Sequence, residues 1–292
     1  AELDLAIAMS TLPQVIVATF GDMVRVPGSA SSLEKERAQG AQVKVVASTL
    51  EAIELAAANP RREIIFLGVG FETTAPLAAL SIREARQRHL HNFSLLSLYK
   101  LMPPALHTLL NGPDLVLDGL LLPGHVSAVT GRQAFDFVAG TYGLPAVIAG
   151  FELLDILGAL LALLEMLSAA KVKVLNCYTR AVKETGNPQA REVVADCFAT
   201  DPATWRGLGL LAASGLHLRH SYLEYDAAVK FAPPVPVASP RGNCRCSEIL
   251  QGRLLPNQCP LYAGACTPAH PAGPCMVSAE GACTASYHYR SR

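Results

Sequence analysis

Residues 63–88 read EIIFLGVGFETTAPLAALSIREARQR, and the order of features in them decides the fold. Residues 63–69 are a short run of large and β-branched apolar side chains, the pattern of a buried strand. Residues 70–76 are a glycine-led loop, and 77–88 have the spacing of an amphipathic helix. The same cycle of strand, loop and helix extends both ways. Upstream, 1–12 read as a helix ended by Pro13, 14–19 as a strand, 32–39 as a helix capped by Ser32, 43–47 as a strand and 49–58 as a helix. Downstream, strands are expected at 93–98, 115–121, 145–149 and 172–179, and helices at 103–110, 133–142, 152–169 and 189–198. A further short strand is expected after Trp205. Alternation at this pace means βαβ units around mostly parallel sheets.

The chain has 292 residues, 51% of them hydrophobic, and a formal net charge of zero. That length allows two or more domains. A neutral balance gives no general pull toward nucleic acid or an anionic membrane, so neither is an expected partner. There is no G-x-G-x-x-G and no P-loop, which leaves nucleotide binding without support. The first residues lack the basic region and cleavage pattern of a signal peptide. The sequence does not open on Met, which points to a processed, truncated or excised start. The apolar run 151–167 carries Glu152, Asp155 and Glu165; it is short for a membrane span and reads as a buried core helix. A reducing, cytoplasmic setting is expected. Residues 232–240 (APPVPVASP) read as a linker.

In parallel α/β sheets, working residues gather beyond the carboxyl ends of strands. Four loops occupy such places: Gly21-Asp22 with Arg25, Gly70 to Thr74, Tyr99-Lys100, and Gly124-His125-Val126-Ser127. Gly70 with Thr73 and Thr74 either cradles an anion at a helix start or simply makes the turn and cap. His125 is the one histidine whose setting points to work. The end of the chain is different in kind. Six of eight cysteines, Cys244, Cys246, Cys259, Cys266, Cys275 and Cys283, fall within 40 residues rich in Gly and Pro. A segment of this composition builds little hydrophobic core, so a metal centre would supply the missing stability. A disulfide knot, a zinc site and an iron–sulfur cluster all remain open. Six thiols exceed the four that one zinc or one [4Fe–4S] cluster takes, which leaves two over.

Read together, TFGDMVRVPGS (19–29), GFETTAP (70–76), LPGHVSAVTG (122–131), GFELLDIL (150–157), NCYTRAVKETGN (176–187) and CRCSEILQG…CPLYAGACTP…GPCMVSAEGAC (244–283) resemble the HypD family of [NiFe] hydrogenase maturation factors. The resemblance runs over essentially the whole chain. It implies an α/β fold of two Rossmann-like parallel-sheet domains plus a C-terminal iron–sulfur segment, which we divide as 1–60, 61–235 (part of it returning to the first domain) and 236–292. It implies a scaffold that works with HypC. On that scaffold an iron ion receives cyanide, delivered through HypE with HypF upstream, and carbon monoxide, and the Fe(CN)2CO unit then passes to the hydrogenase large subunit. It implies Cys244, Cys259, Cys266 and Cys283 as [4Fe–4S] ligands, Cys246 and Cys275 as a spare thiol pair, and Glu280, His125 and Asp22 as further site residues. Two readings stand beside it: a cluster-dependent thiol/disulfide redox protein, and a zinc-stabilised interaction module.

The sequence also departs from the family pattern. The CGGHTH and GPGCPVC motifs, expected to handle the iron under assembly, are not in these residues, which begin about where the segment after GPGCPVC would lie. The resemblance therefore implies a fragment or a defective copy, with an exposed edge expected on the first domain's sheet. Leu153, Tyr99 and Cys177 stand where the family usually has Pro, His and Gln.

Overall fold

The structure is a computed structural model that describes residues 2–112, 115–205, 208–234, 244–278 and 281–289. Helix α1 (Glu2–Ser10) leads into β1 (Val15–Thr19), a 3-10 turn at Gly21–Arg25, α2 (Leu33–Ala38), β2 (Val43–Val45), α3 (Thr49–Ala58), β3 (Glu63–Gly70), α4 (Ala75–Gln87) and β4 (Phe93–Tyr99). The helices start where their caps dictate. Ser32 accepts from the Lys35 N–H and Ser48 from the Glu51 N–H, while the Glu51 carboxylate reaches back to the Ala47 N–H at 2.7 Å. The four strands form one parallel sheet in the order β2-β1-β3-β4, with Val17 of β1 opposite both Val43 and Ile65.

This sheet runs across residue 60, in keeping with part of 61–235 completing the first α/β body. Strand β3 pairs directly with β1 and β4 with β3, so the sheet runs on to Tyr99. Cutting at 60 would split a ladder of parallel hydrogen bonds. Phe66, Ile64 and Phe93 are buried on one face against α3 and α4; Val17, Ile65 and Leu67 are buried on the other with Met9 of α1 and Leu33 of α2. Each such side chain contributes about 1.5–3 kcal/mol by leaving water.

The second sheet begins later. Helix α5 (Met102–Leu110) precedes β5 (Leu120–Pro123), and α6 (Gly124–Thr130) follows without a loop. The strand expected at 115–121 thus starts at residue 120. The helix expected at 133–142 is a 3-10 turn (Arg132–Phe135) joined to α7 (Asp136–Gly140). Then come β6 (Ala146–Ala149), α8 (Leu153–Ser168) and β7 (Val174–Asn176), in the parallel order β5-β6-β7. Helices α5, α6 and α7 cover one face through Leu106, Val126 and Val138, and α8 covers the other through Ala159, Leu163 and Met166. Only that inner side of α8 is buried; its outer side is a row of exposed leucines. The expected core helix is therefore a half-covered one. Among the described residues no helix is long and apolar enough to cross a membrane.

The chain then returns to the first body. Asn187 caps α9 (Pro188–Cys197) by accepting from the Ala190 N–H, and Val193 and Cys197 join the core around Phe66. In place of one short strand there is an antiparallel ribbon, β8 (Phe198–Trp205) and β9 (Gly209–Leu218). Pro202 lies inside β8, where the register shifts between Asp201 and Ala203. A proline is tolerated at such a bulge in a ribbon but reads as a breaker in the sequence. Strand β9 runs beside β4: the Ser97 hydroxyl donates to Leu216 O and the Leu101 N–H to Ser214 O. Helix α10 (Ala227–Phe231), capped by Asp226, ends this body. The cysteine segment follows, with α11 (Cys246–Leu250), α12 (Pro274–Val277) and α13 (Ala282–Tyr289). Within the expected linker, residues 235–240 lie outside the described residues.

Candidate functional site

The six clustered cysteines come together. Cys246, Cys259, Cys266, Cys275 and Cys283 are buried, Cys244 is half-buried, and with Ile249 and Met276 they form the core of the segment. Thiols do here what leucines do elsewhere. Short elements and glycines make the closeness possible. A Cβ on Gly273 would stand 2.4 Å from Cys244 Sγ, and one on Gly281 2.3 Å from the Cys275 carbonyl oxygen. Cys275 Sγ lies 3.2 Å from Cys283 Sγ, and the Ala272 N–H donates to Cys266 Sγ at 3.2 Å.

The thiols are electrostatically coupled. Cys246 is hydrogen-bonded to Cys275, and this bond, followed by burial, holds its proton on strongly. Burial pushes the Cys244 thiol up to about 11. Burial also raises Cys283, and the charges of Cys259, Cys266 and Cys244 add to the effect. Cys246 also contacts Cys244, and Cys275 contacts Cys283, so the thiols form one coupled cluster and do not separate into four and two. Among the described residues no three or more His, Cys, Asp or Glu side chains converge to hold a single metal ion. A tetrahedral zinc takes four donors at about 2.3 Å per sulfur, and a [4Fe–4S] cluster takes four cysteine thiolates, one on each iron. Buried Cys259, Cys266 and Cys283, half-buried Cys244 and a backbone N–H on the Cys266 sulfur are a soft donor set of the kind an iron–sulfur cluster takes.

The other expected residues are placed elsewhere. Asp22 is exposed in the turn after β1. The same loop faces the knot across a groove of about 530 Å³ lined by Arg25, Ser32 and Lys35 on one side and His270 and Ala272 on the other. His125 stands in the first turn of α6, its ring 4.9 Å from that of Phe151. Glu280 lies outside the described residues.

One residue of the Gly70 to Thr74 loop was not singled out from the sequence. Glu72, in the loop from β3 to α4, is buried; one carboxylate oxygen accepts from the Met102 N–H at 2.9 Å and the other has no partner. Burial raises its pKa above 4.5. It lines a cavity of about 600 Å³ between the two sheet bodies, with Leu101, Thr130, Arg191, Thr200 and Arg219. Its signal was in the sequence: Glu72 is the one charged residue between Glu63 and Arg83. Beside it, Thr74 donates to carbonyl oxygens of its own loop (Val69 and Phe71), which helps to make the turn.

Comparison with known proteins decides what this arrangement belongs to. Residues 1–290 match the HypD model, described as the hydrogenase formation hypA family. The chain belongs to the HypD family. It is 41% identical to hydrogenase maturation factor HypD of Escherichia coli K12 over 291 residues, which is 99% of this chain and 78% of that one. It is 42% identical to HypD of Rhodobacter capsulatus, over 99% of this chain and 78% of the other. With HypD of Azotobacter vinelandii the figures are 43%, 98% and 78%. Identity at this level over nearly the whole chain makes the α/β bodies and the cysteine knot features of one HypD-family molecule rather than an accidental fusion.

Proposed function

We propose that this HypD-family chain is a scaffold in [NiFe] hydrogenase maturation, acting in the cytoplasm with HypC and receiving cyanide through HypE, with HypF upstream. Its substrate is an iron ion that becomes Fe(CN)2CO and moves on to the hydrogenase large subunit. The observation that carries the reading is the buried six-thiol knot, in a chain of this family, set across a groove from the loop after β1. Cys244, Cys259, Cys266 and Cys283 would hold a [4Fe–4S] cluster, which when bound supplies one-electron transfer. The chain's own residues do the rest. The peptide N–H of Ala272 steadies Cys266, the close approach at Gly273 fixes Cys244, and the protein around the knot excludes water from the sulfurs. Cys246 and Cys275 can give up two electrons and two protons to form one disulfide, and take them back.

Iron and acid-labile sulfide in the anaerobically purified chain test the cluster. The expected result is about four of each per chain, lost in Cys259→Ala. Bound zinc without sulfide would overturn the reading in favour of a zinc-stabilised module. The contact between Cys246 and Cys275 favours a second reading, a thiol/disulfide redox protein whose cluster serves that pair alone. Redox titration separates the two. Under the second reading a two-electron disulfide forms without any partner, and the chain does not restore hydrogenase to a maturation-deficient strain.

A further inference from the structure

The chemistry proposed for the knot leaves the cavity between the two sheet bodies unused. At about 600 Å³ it falls within the size range of small-molecule sites, about 300–1,000 Å³. None of its lining residues belongs to the cysteine segment. Leu101, Val129, Val194, Phe198 and Leu216, with five alanines, make most of its wall apolar.

The positive charge on this wall comes from two arginines, and both are held in place. Arg191 and Ala195 stand four residues apart on α9, hence on one face of the helix. Arg191 Nη1 donates to Thr185 O at 2.9 Å, and Arg219 Nε donates to Ala195 O at 2.7 Å. The second bond brings Arg219 to the turn of α9 that follows Arg191. Among the described residues neither arginine has a carboxylate partner. A guanidinium anchored through one N–H keeps its other donors in a planar fork that suits a carboxylate. Glu72, the one acid on the wall, does not supply it. One of its oxygens accepts from the Met102 N–H, and the other is shut off from water. Burial favours its neutral form, which lessens the repulsion that an entering anion meets.

We propose that this cavity binds a small monocarboxylate with an apolar body, the carboxylate on Arg191 and Arg219 and the body against Val194, Phe198 and Leu216. Charge sets the sign of the ligand and the wall sets its other end. Phosphate alone would match the arginines and leave the apolar wall bare. A neutral apolar molecule would cover the wall and leave both guanidinium groups without a counter-charge.

The test is a ligand-observed NMR titration of the 292-residue protein at neutral pH. The probes are 4-phenylbutyrate, its uncharged amide, 4-phenylbutylamine and inorganic phosphate. The expected result is one site for the acid, with the amide and phosphate roughly tenfold or more weaker. The acid should weaken by a similar factor in Arg191→Gln/Arg219→Gln. Both arginines are exposed, so the fold should tolerate the change, and an unchanged far-UV circular dichroism spectrum checks it. No binding of the acid up to about 10 mM overturns the proposal. Equal binding of the acid and its amide, or of the acid and phosphate, also overturns it. So does a preference for 4-phenylbutylamine, which would make Glu72 the counter-ion of a cation. Acid binding that survives the double variant overturns it too, and its loss in Leu161→Glu would then place the acid on the exposed leucines of α8.

Discussion

Glu72 shows how one side chain can matter to both stability and site. Its burial favours the neutral carboxyl, so its folded pKa lies above the 4.5 of a free glutamate. The protonated fold is therefore the favoured one. The resulting stability is full below pH 4.5 and is lost as pH rises through the folded pKa. We expect Glu72→Gln to remove that loss: urea midpoints of parent and variant should converge in acid, with the variant higher at neutral pH. Equal pH dependence in the two would show that the cavity is wetter than its walls imply. Gly273 makes a second case. Gly273→Ala forces Cys244 Sγ aside by a close contact at 2.4 Å, and bound iron should fall well below the parent's while far-UV circular dichroism of the α/β bodies stays the same. The cysteines were legible because six thiols in a coreless segment need a chemical cause. Glu72 was legible only as an isolated charge, and its role depends on a second body folding over it.

Among the elements, those with local signals were readable from the chain. Ser32, Ser48 and Asn187 cap helices that start where their sequences say. The β8-β9 ribbon was hidden because Pro202 sits at its bulge, and the outer face of α8 because apolar spacing cannot tell a core from an uncovered surface. The joint before α9 depends on two glycines packed back to back. Gly131 and Gly186 have φ of +91° and +74°, and a Cβ on Gly186 would meet Val129 O at 2.2 Å. Gly186→Ala meets both backbone strain and a clash with main chain that cannot swing away. We expect a loss of about 3 kcal/mol, seen as a lower urea midpoint with unchanged slope.

On the scale of the molecule, the second body is an insertion in the first. The first sheet has all its strands before residue 100, yet its core takes in Cys197, Phe198, Leu216, Tyr222 and Tyr225 from the returning chain. A chain ended after residue 187 should therefore lose cooperative unfolding of the first sheet as well, by calorimetry; a preserved transition would show that the early strands suffice. The insertion has one more consequence. The backbone crosses between the bodies twice, at Leu101 and just before Ala190, and both crossings border the cavity that holds Glu72. The first is pinned by Lys100 N–H to Gly70 O and Leu101 N–H to Ser214 O, the second by Asn187 N–H to Val129 O. Two anchored crossings tie both ends of the second body to the wall of this cavity. We expect any widening of the cavity to change the angle between the sheets, and the separation of spin labels on exposed Leu77 and Val172 checks it.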